Sequence, residues 1–238
     1  MGRVWQGHRV SVIFPAYNEE AGIAAAVADF GALEAVDEVL VVDNNSRDAT
    51  AARAAIAGAR VVQERRQGYG HALRRGLGEA SGEYVVLAEP DGTFMGKDVL
   101  KLLAYADDFD LVLGTRTTRE LIWHGANMGW QLRWGNWLVA KLLQLLFDGP
   151  SLSDCGCTLR LVRRSAVEHL LPRFTVGGSH FLPEMVCLAL LHHLRLIEVP
   201  VNYRRRVGTS KITGSMSTAL RVGLHMCGLI LRYRVLGR

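Results

Sequence analysis

The chain has 238 residues, 49% of them hydrophobic and 21% charged, with a formal net charge of +5. That length and balance fit one large α/β domain or two small ones around a proper core, and exclude a disordered or fibrous chain. The basic balance, with a pI near 9.2, points to an anionic partner: a nucleotide, a lipid phosphate, a phospholipid or a nucleic acid.

The opening stretch, MGRVWQGHRVSVIFP, has no signal-peptide apolar region, because Arg9 interrupts the run. RVSVIFP then reads as a buried strand. EEAGIAAAVADFGAL, residues 19–33, reads as a helix with Glu19 and Glu20 in its first turn, where the dipole favours acids. DEVLVVD is a second strand, and SRDATAARAAIAGA a second helix capped by Ser46 or Asp48. RVVQE is a third strand, and GYGHALRRGLGEA a third helix entered through a Gly-rich turn. EYVVLAE, DVLKLLAYAD and DLVLGTR follow as fourth strand, fourth helix and fifth strand.

Strands alternating with helices at this spacing predict a mostly parallel sheet covered on both faces. Ligands in such sheets bind beyond the C-terminal strand ends. The stretches at those ends are PAYNE, DNNSRD, EPDGTF and GTR.

The second half is different in texture. Residues 117–147 hold Trp123, Trp130, Trp134 and Trp137, and QLRWGNWLVAKLLQLLF reads as a helix with Arg133, Asn136 and Gln144 on one side. A polar turn (DGPSLSDCGCTLR), the helix RRSAVEHLL, a loop with GGSHF, the helix PEMVCLALLHH, the strand RLIEVPVNY and the basic loop RRRVGTSKITG follow. There is no repeat and no linker, so one domain with a C-terminal extension is expected. No stretch reaches about 18 apolar residues without charge, so no transmembrane helix is predicted.

Cys155, Cys157, Cys187 and Cys227 are spaced neither as a zinc site nor as a disulfide framework. Reduced thiols in a cytosolic protein are the simple reading, with Cys155 and Cys157 as a metal pair the lesser one. GxGxxG, Walker A and GxSxG patterns are absent, which removes the main support for dinucleotide, P-loop and α/β-hydrolase readings. No nucleic-acid reader module is recognisable either, so nucleic acid is not an expected partner.

Two sets of acids carry the chemistry. Asp43 ends an apolar strand, where a carboxylate either accepts hydrogen bonds from a nucleobase or caps the following helix. Capping is favoured for Asn45 and Ser46, and ligand contact for Asp43. Glu89 and Asp91, one residue apart at another strand end, either present hard oxygens to one Mg²⁺ or Mn²⁺ or close a Pro-Asp-Gly turn; the two roles are compatible. His180 and Glu184 precede an apolar helix. His180 is read as a loop residue, with reach to the metal or donor as the alternative, and Glu184 as part of the helix N-terminus. His192 and His193 read as surface residues.

FPAYNEE, VVDNNSRDAT, the Gln67-Gly68 turn, EPDGTF, GTR, DCGCTLRLVRR and EVPVNYRRRVGTSKI occur in the order found in family 2 glycosyltransferases of the GT-A fold. The pattern most resembles the polyprenyl-phosphate (dolichyl-phosphate) mannosyl- and glucosyltransferase branch, over about residues 10–213. The resemblance implies a single Rossmann-like sheet over 1–213, with a nucleotide-sugar half (1–116), an acceptor half (117–213) and a C-terminal amphipathic helix (214–238). It implies that Pro15, Ala16, Tyr17, Glu19, Gln67, Gly68 and Pro90 line the nucleotide-sugar pocket and that Asp43 contacts the base. Asp91 would be the central acid of a DxD-type motif, with Glu89 where the branch usually has Asp and Thr93 where it often has Gln. Thr93 or His180 would complete a Mn²⁺ or Mg²⁺ site. Asp154 matches the acid of a D-x-x-x-G-F-R segment in which Thr158-Leu159-Arg160 replaces Gly-Phe-Arg. Arg116, Arg133 and Arg206 match basic positions that meet donor or acceptor phosphates.

The expected reaction is inverting transfer of a hexose from a UDP- or GDP-sugar to a polyprenyl phosphate or related membrane lipid. An anionic lipid phosphate is its own nucleophile, so no strong general base is required. With a hydroxyl acceptor, Asp154 would be the candidate base. The alternatives are a soluble or polysaccharide acceptor, and a catalytically silent GT-A subunit. In the terminal helix Arg221, His225 and Arg232 fall within about 40° of one another beside Leu220, Leu224, Cys227 and Leu231. Such a helix either lies on an anionic membrane or packs on the core or a partner chain. Localisation is expected in the cytoplasm or at the cytoplasmic face of a membrane; the oligomeric state is open, a homo-oligomer included.

Overall fold

The computed structural model describes residues 5–126, 128–208 and 216–237. The basic loop is therefore described only as far as Gly208; Lys211 and the rest of its TSKITG end lie outside the described residues, as does the side chain of Leu220.

One seven-stranded sheet organises the chain, in the order β3-β2-β1-β4-β6-β5-β7. The strands are β1 (Val10–Ala16), β2 (Glu38–Asp43), β3 (Arg60–Gln63), β4 (Tyr84–Leu87), β5 (Leu111–Thr115), β6 (Arg160–Arg163) and β7 (Leu196–Pro200). All neighbours are parallel except β6, which runs antiparallel between β4 and β5. β6 is the element the sequence reading missed. Its four residues, RLVR, lack a strand-length apolar run and fall between a polar turn and a helix in the sequence pattern. The sheet supplies what local pattern could not: two open edges, β4 and β5, that need a partner.

The strands are apolar on both sides because both faces are covered. Ile13, Leu40, Val85 and Leu87 pack beneath α3 (Tyr69–Glu79), α5 (Trp130–Phe147), α6 (Arg164–Leu170) and α7 (Phe181–Leu191). Val12, Phe14, Val41 and Val86 face α1 (Ile23–Gly31), α2 (Thr50–Ile56) and α4 (Val99–Leu103).

Three helices begin or end short of expectation. α1 starts at Ile23, so Glu19 and Glu20 lie in the loop before it. Glu20 accepts from the Ala49 N–H at 3.2 Å, and Glu19 pairs with Arg206 at 2.7 Å. α2 starts at Thr50, and Asp48 closes the turn before it by accepting from the Thr50 N–H at 3.0 Å. Ser46 and Asn45 cap nothing: the Ser46 hydroxyl accepts from the Asn18 N–H and Asn45 Nδ2 donates to the Arg65 carbonyl. α4 is five residues long and passes into turns after Leu103.

The terminal helix α8 (Met216–Leu236) packs on the core through Ile230 and Tyr233, both at most 2% exposed. Arg221, His225 and Arg232 face outward, together with Leu224, Leu231 and Val235. Among the described residues no helix is long and apolar enough to cross a membrane.

Candidate active site

The C-terminal ends of β1, β2, β4 and β5 open into one cavity of about 760 Å³. Its first wall is made of strand-end loops. Pro15, Ala16, Tyr17 and Glu19 follow β1, and Asn44 follows β2; Glu89 and Pro90 follow β4. Gln67, Gly68 and Tyr69 enter α3.

Asn44 ties this wall together. Its Nδ2 donates to the carbonyls of Glu64 and Arg66, both at 2.8 Å, and its Oδ1 accepts from the Gly68 N–H at 2.8 Å. Gly68 has φ of +148°, and a Cβ there would sit 2.3 Å from the Gly177 carbonyl oxygen. Only glycine fits such an approach. Asp43 is not on the cavity wall. It is buried at the end of β2, and its Oδ1 accepts from the Ser46 N–H at 3.2 Å. That contact closes a turn; α2, the helix Asp43 would cap, begins only at Thr50.

The acids are placed close together and enclosed. Asp91 is 1% exposed; its Oδ1 accepts from both the N–H (2.9 Å) and the hydroxyl (2.6 Å) of Thr93. Turn and acid site are thus built from the same residues. Asp91 Oδ2 is buried without a hydrogen-bond donor, and lies 3.0 Å from Arg206 Nη1 in an ion pair whose geometry is not that of a hydrogen bond. Glu89 accepts from the Thr158 hydroxyl at 3.0 Å. Burial raises its carboxyl to about 7, reinforced by the charge of Asp91 and opposed by Arg206 and Arg116.

A buried carboxylate oxygen short of donors, beside a second carboxylate, suits a hard divalent cation. The residues present fit such an ion if a diphosphate and water supply its other oxygens. Among the described residues no three His, Cys, Asp or Glu side chains gather into a ready-made site. The Thr93 hydroxyl donates to Asp91, and His180 precedes α7 with its ring 6.0 Å from that of His225. Cys155 and Cys157 are buried, and burial pushes the Cys157 thiol up to about 12. Neutral thiols make poor metal ligands.

Two arginines face the acids. Arg206 donates to Glu19 Oε1 at 2.7 Å; burial works against its charge, and Asp91 and Glu19 more than restore it. Arg116, at the end of β5, lies over the Tyr203 ring at 5.3 Å and is gripped by Asp154. Asp154 Oδ2 accepts from Arg116 Nε (2.7 Å) and N–H (3.1 Å), and Oδ1 from Arg116 Nη2 (2.9 Å) and the Gly156 N–H (3.2 Å). Asp154 is fully buried. With every face of its carboxylate taken, it does not serve as the free base weighed above; it holds a cation in place. Glu198 of β7 in turn accepts from the N–H groups of Ser153 and Asp154.

Arg133 is not brought to this cavity. It lines a separate cleft of about 290 Å³ with Thr117, Arg119, Trp130, Trp134 and Trp137. The far wall of the main cavity is apolar, formed by Leu132, Leu138 and Val139 of α5 and by Val222, Leu224 and Met226 of α8. Glu184 anchors that wall: fully buried at the start of α7, it accepts from the Tyr233 hydroxyl at 2.7 Å and from the Thr175 N–H at 2.8 Å.

Comparison with known proteins agrees with this layout. The family model for glycosyl transferase family 2 matches residues 11–171. An uncharacterized glycosyltransferase of Mycobacterium tuberculosis is 35% identical over 213 residues, covering 88% of this chain and 92% of that protein. A dolichyl-phosphate hexose transferase of Haloferax volcanii is 30% identical over 206 residues, covering 85% and 86%. The crystal structure of glucosyl-3-phosphoglycerate synthase from M. tuberculosis with Mn²⁺, UDP and phosphoglyceric acid superposes with a TM-score of 0.72. At 22% identity over 96% of this chain and 79% of that one, the likeness is one of fold.

Proposed function

Because the chain belongs to glycosyl transferase family 2 and has the GT-A fold, we propose that this glycosyltransferase moves a hexose, with inversion, from a UDP- or GDP-sugar to a polyprenyl phosphate at the cytoplasmic face of a membrane. The observation that carries the reading is the cavity itself. It runs without interruption from Glu89, Arg116 and Arg206 to the apolar walls of α5 and α8. A phosphate at one end of a hydrocarbon chain matches that gradient from charge to apolar surface. The names of the Haloferax relative and of an undecaprenyl-phosphate sugar transferase, 28% identical over 224 residues, support the same acceptor class.

The outer face of α5 adds a second support. Trp130, Trp134 and Leu138 are exposed at 69%, 58% and 60%, and Leu224 of α8 at 65%. Leu138 and Leu224 also line the cavity, so the exposed apolar surface reaches its mouth. Tryptophan and arginine beside such a mouth suit the interfacial layer of an anionic bilayer. The contact foreseen for the basic stripe of α8 is then shared with α5.

In the reaction the acceptor phosphate oxygen attacks the anomeric carbon. The bond from that carbon to the nucleoside diphosphate breaks, and the diphosphate leaves with the electron pair. Glu89 and Asp91 would hold Mn²⁺ or Mg²⁺, which when bound supplies Lewis-acid stabilisation of the leaving diphosphate. Arg116 and Arg206 bind and orient the two anionic groups and offset their repulsion. Asp154 and Glu19 keep those guanidiniums in position. The loops of residues 1–116 hold the nucleotide, and 117–213 with the terminal helix hold the acceptor.

The test is a panel of labelled UDP- and GDP-hexoses offered with polyprenyl phosphate in vesicles. Label entering the organic phase in a Mn²⁺- or Mg²⁺-dependent manner is the expected result. Label that stays with phosphorylated soluble acceptors, and never reaches lipid, overturns the acceptor assignment.

A further inference from the structure

The loop after β4, the N-terminus of α3 and the turn before β6 meet at three side chains. The Thr158 hydroxyl donates to Glu89 Oε1 at 3.0 Å, the one hydrogen bond Glu89 receives among the described residues. The same hydroxyl lies 2.7 Å from the Tyr69 phenol oxygen. A hydroxyl has one proton. Given to Glu89, it is not available to Tyr69, so Tyr69 donates to Thr158 and the chain runs Tyr69 to Thr158 to Glu89. Hydrogen bonds in series polarise one another, so the last one is strengthened by the first.

Each member is held from behind. Tyr69 is the first residue of α3, and the N–H groups of Gly70 and His71 donate to the Gly177 carbonyl at 2.9 and 3.2 Å. A Cβ at Gly70 would sit 2.6 Å from the Val176 carbonyl oxygen, so the two segments are in backbone contact. Thr158 is 2% exposed, and its turn is braced by Arg160. That buried guanidinium has no carboxylate partner among the described residues; it donates to the carbonyls of Cys155, Cys157 and Leu182. Burial raises the Tyr69 phenol well above its ordinary range, which keeps it a donor.

We infer that Tyr69 and Thr158 are positioning residues that fix the Glu89 carboxylate for its role toward the divalent cation. The inference rests on the reading of Glu89 and Asp91 as the cation's protein ligands. It also accounts for two of the departures noted in the sequence, Glu89 and Thr158. A glutamate reaches the Thr158 hydroxyl; an aspartate would fall about 1.5 Å short. A glycine at 158 would offer no hydroxyl to reach for. The long arm and the hydroxyl form one device, with Tyr69 as its support.

Mn²⁺ binding in the presence of UDP, and separately of GDP, is measured by calorimetry and by the spin-resonance signal of free Mn²⁺, with no acceptor and no turnover. Wild-type protein that binds no Mn²⁺ with either nucleotide overturns the underlying reading, and this inference with it. With wild-type binding present, Thr158→Val is expected to weaken Mn²⁺ by about 10–100-fold and Thr158→Ser to stay within about threefold. Tyr69→Phe is expected to cost about 3–10-fold, and Tyr69→Phe/Thr158→Val no more than Thr158→Val alone, because Tyr69 acts through Thr158. Wild-type affinity in Thr158→Val overturns the inference, and so does a Tyr69→Phe factor that multiplies fully in the double variant. If Thr158→Val does not fold, Tyr69→Phe decides: unchanged affinity there overturns the inference.

Discussion

The two ends of the cavity differ in how they are made. At the proposed donor end, the wall is a row of loops leaving adjacent parallel strands, locked by backbone contacts and by the amide of Asn44. At the proposed acceptor end the wall is two helices, α5 and α8, far apart in the chain and joined to the core by apolar contact and by the Tyr233–Glu184 bond. Sheet register fixes the first end to within a hydrogen bond. The second depends on how a helix docks, and helices dock with more latitude. A donor with a fixed diphosphate suits the rigid end, and a flexible isoprenoid chain suits the other.

The sharpest break in the comparison is Asp91→Ala. It removes the acid at the rigid end and is expected to lower transfer by about 10³-fold or more. Mn²⁺-dependent stabilisation by nucleotide in thermal melts is expected to vanish, while retention on polyprenyl-phosphate vesicles persists. Loss of vesicle retention as well would mean that the two ends are not separable.

Asp154→Asn comes next, because Asp154 holds Arg116, which lines the cavity. The change leaves Arg116 buried opposite a neutral amide, and breaking a buried pair in this way costs about 3–5 kcal/mol. Urea unfolding reads that loss directly. A variant that keeps wild-type stability and loses only turnover would instead identify Asp154 as a general base.

The same contrast explains what the sequence made legible. PAYNE, Gln67-Gly68 and EPDGTF lie at strand ends because β1 and β4 are short apolar runs bounded by turn residues, and their loops follow within a few positions. Asp91 and Arg206 were found by motif order, and the structure brings them together. Arg133 was misplaced because helical spacing gives a side but not what the side faces; it turns into the Trp-lined cleft. β6 was missed because its partners, β4 and β5, are distant in sequence; Thr158 beside it showed only as a departure from the family pattern, and Tyr203 under Arg116 was not singled out. Asp43 illustrates a milder case. Its place at a strand end was readable, but its burial and its bond to Ser46 depend on the fold of a loop.

Leu224→Asp tests the helical end with a smaller effect. Leu224 lines the cavity and is also exposed at its mouth, so the change is expected to leave folding nearly intact. Losing one leucine contact with a hydrocarbon chain corresponds to about 10-fold in KM for the lipid acceptor. KM for the sugar nucleotide is expected to stay within about twofold. A shift in donor KM of the same size would show that α8 reaches the rigid end.

Glu89 reads the rigid end from the side of protons. Burial, with the Asp91 charge, raises its carboxyl from an ordinary 4.5 to about 7 in the folded chain. Between those values the folded protein keeps a proton that the unfolded chain has released. Stability therefore falls as pH rises through that window and levels off above it. Glu89→Gln imitates the protonated form at every pH, so it removes the fall. In the presence of a chelator, the variant is expected to exceed the wild type by about 3 kcal/mol near pH 8 and to match it near pH 4, by urea unfolding. A difference that does not change with pH would show that the carboxyl is not titrating there. Saturating Mn²⁺ and nucleotide should reverse the order at pH 8, because only the carboxylate gains from the cation, and the gain follows mass action.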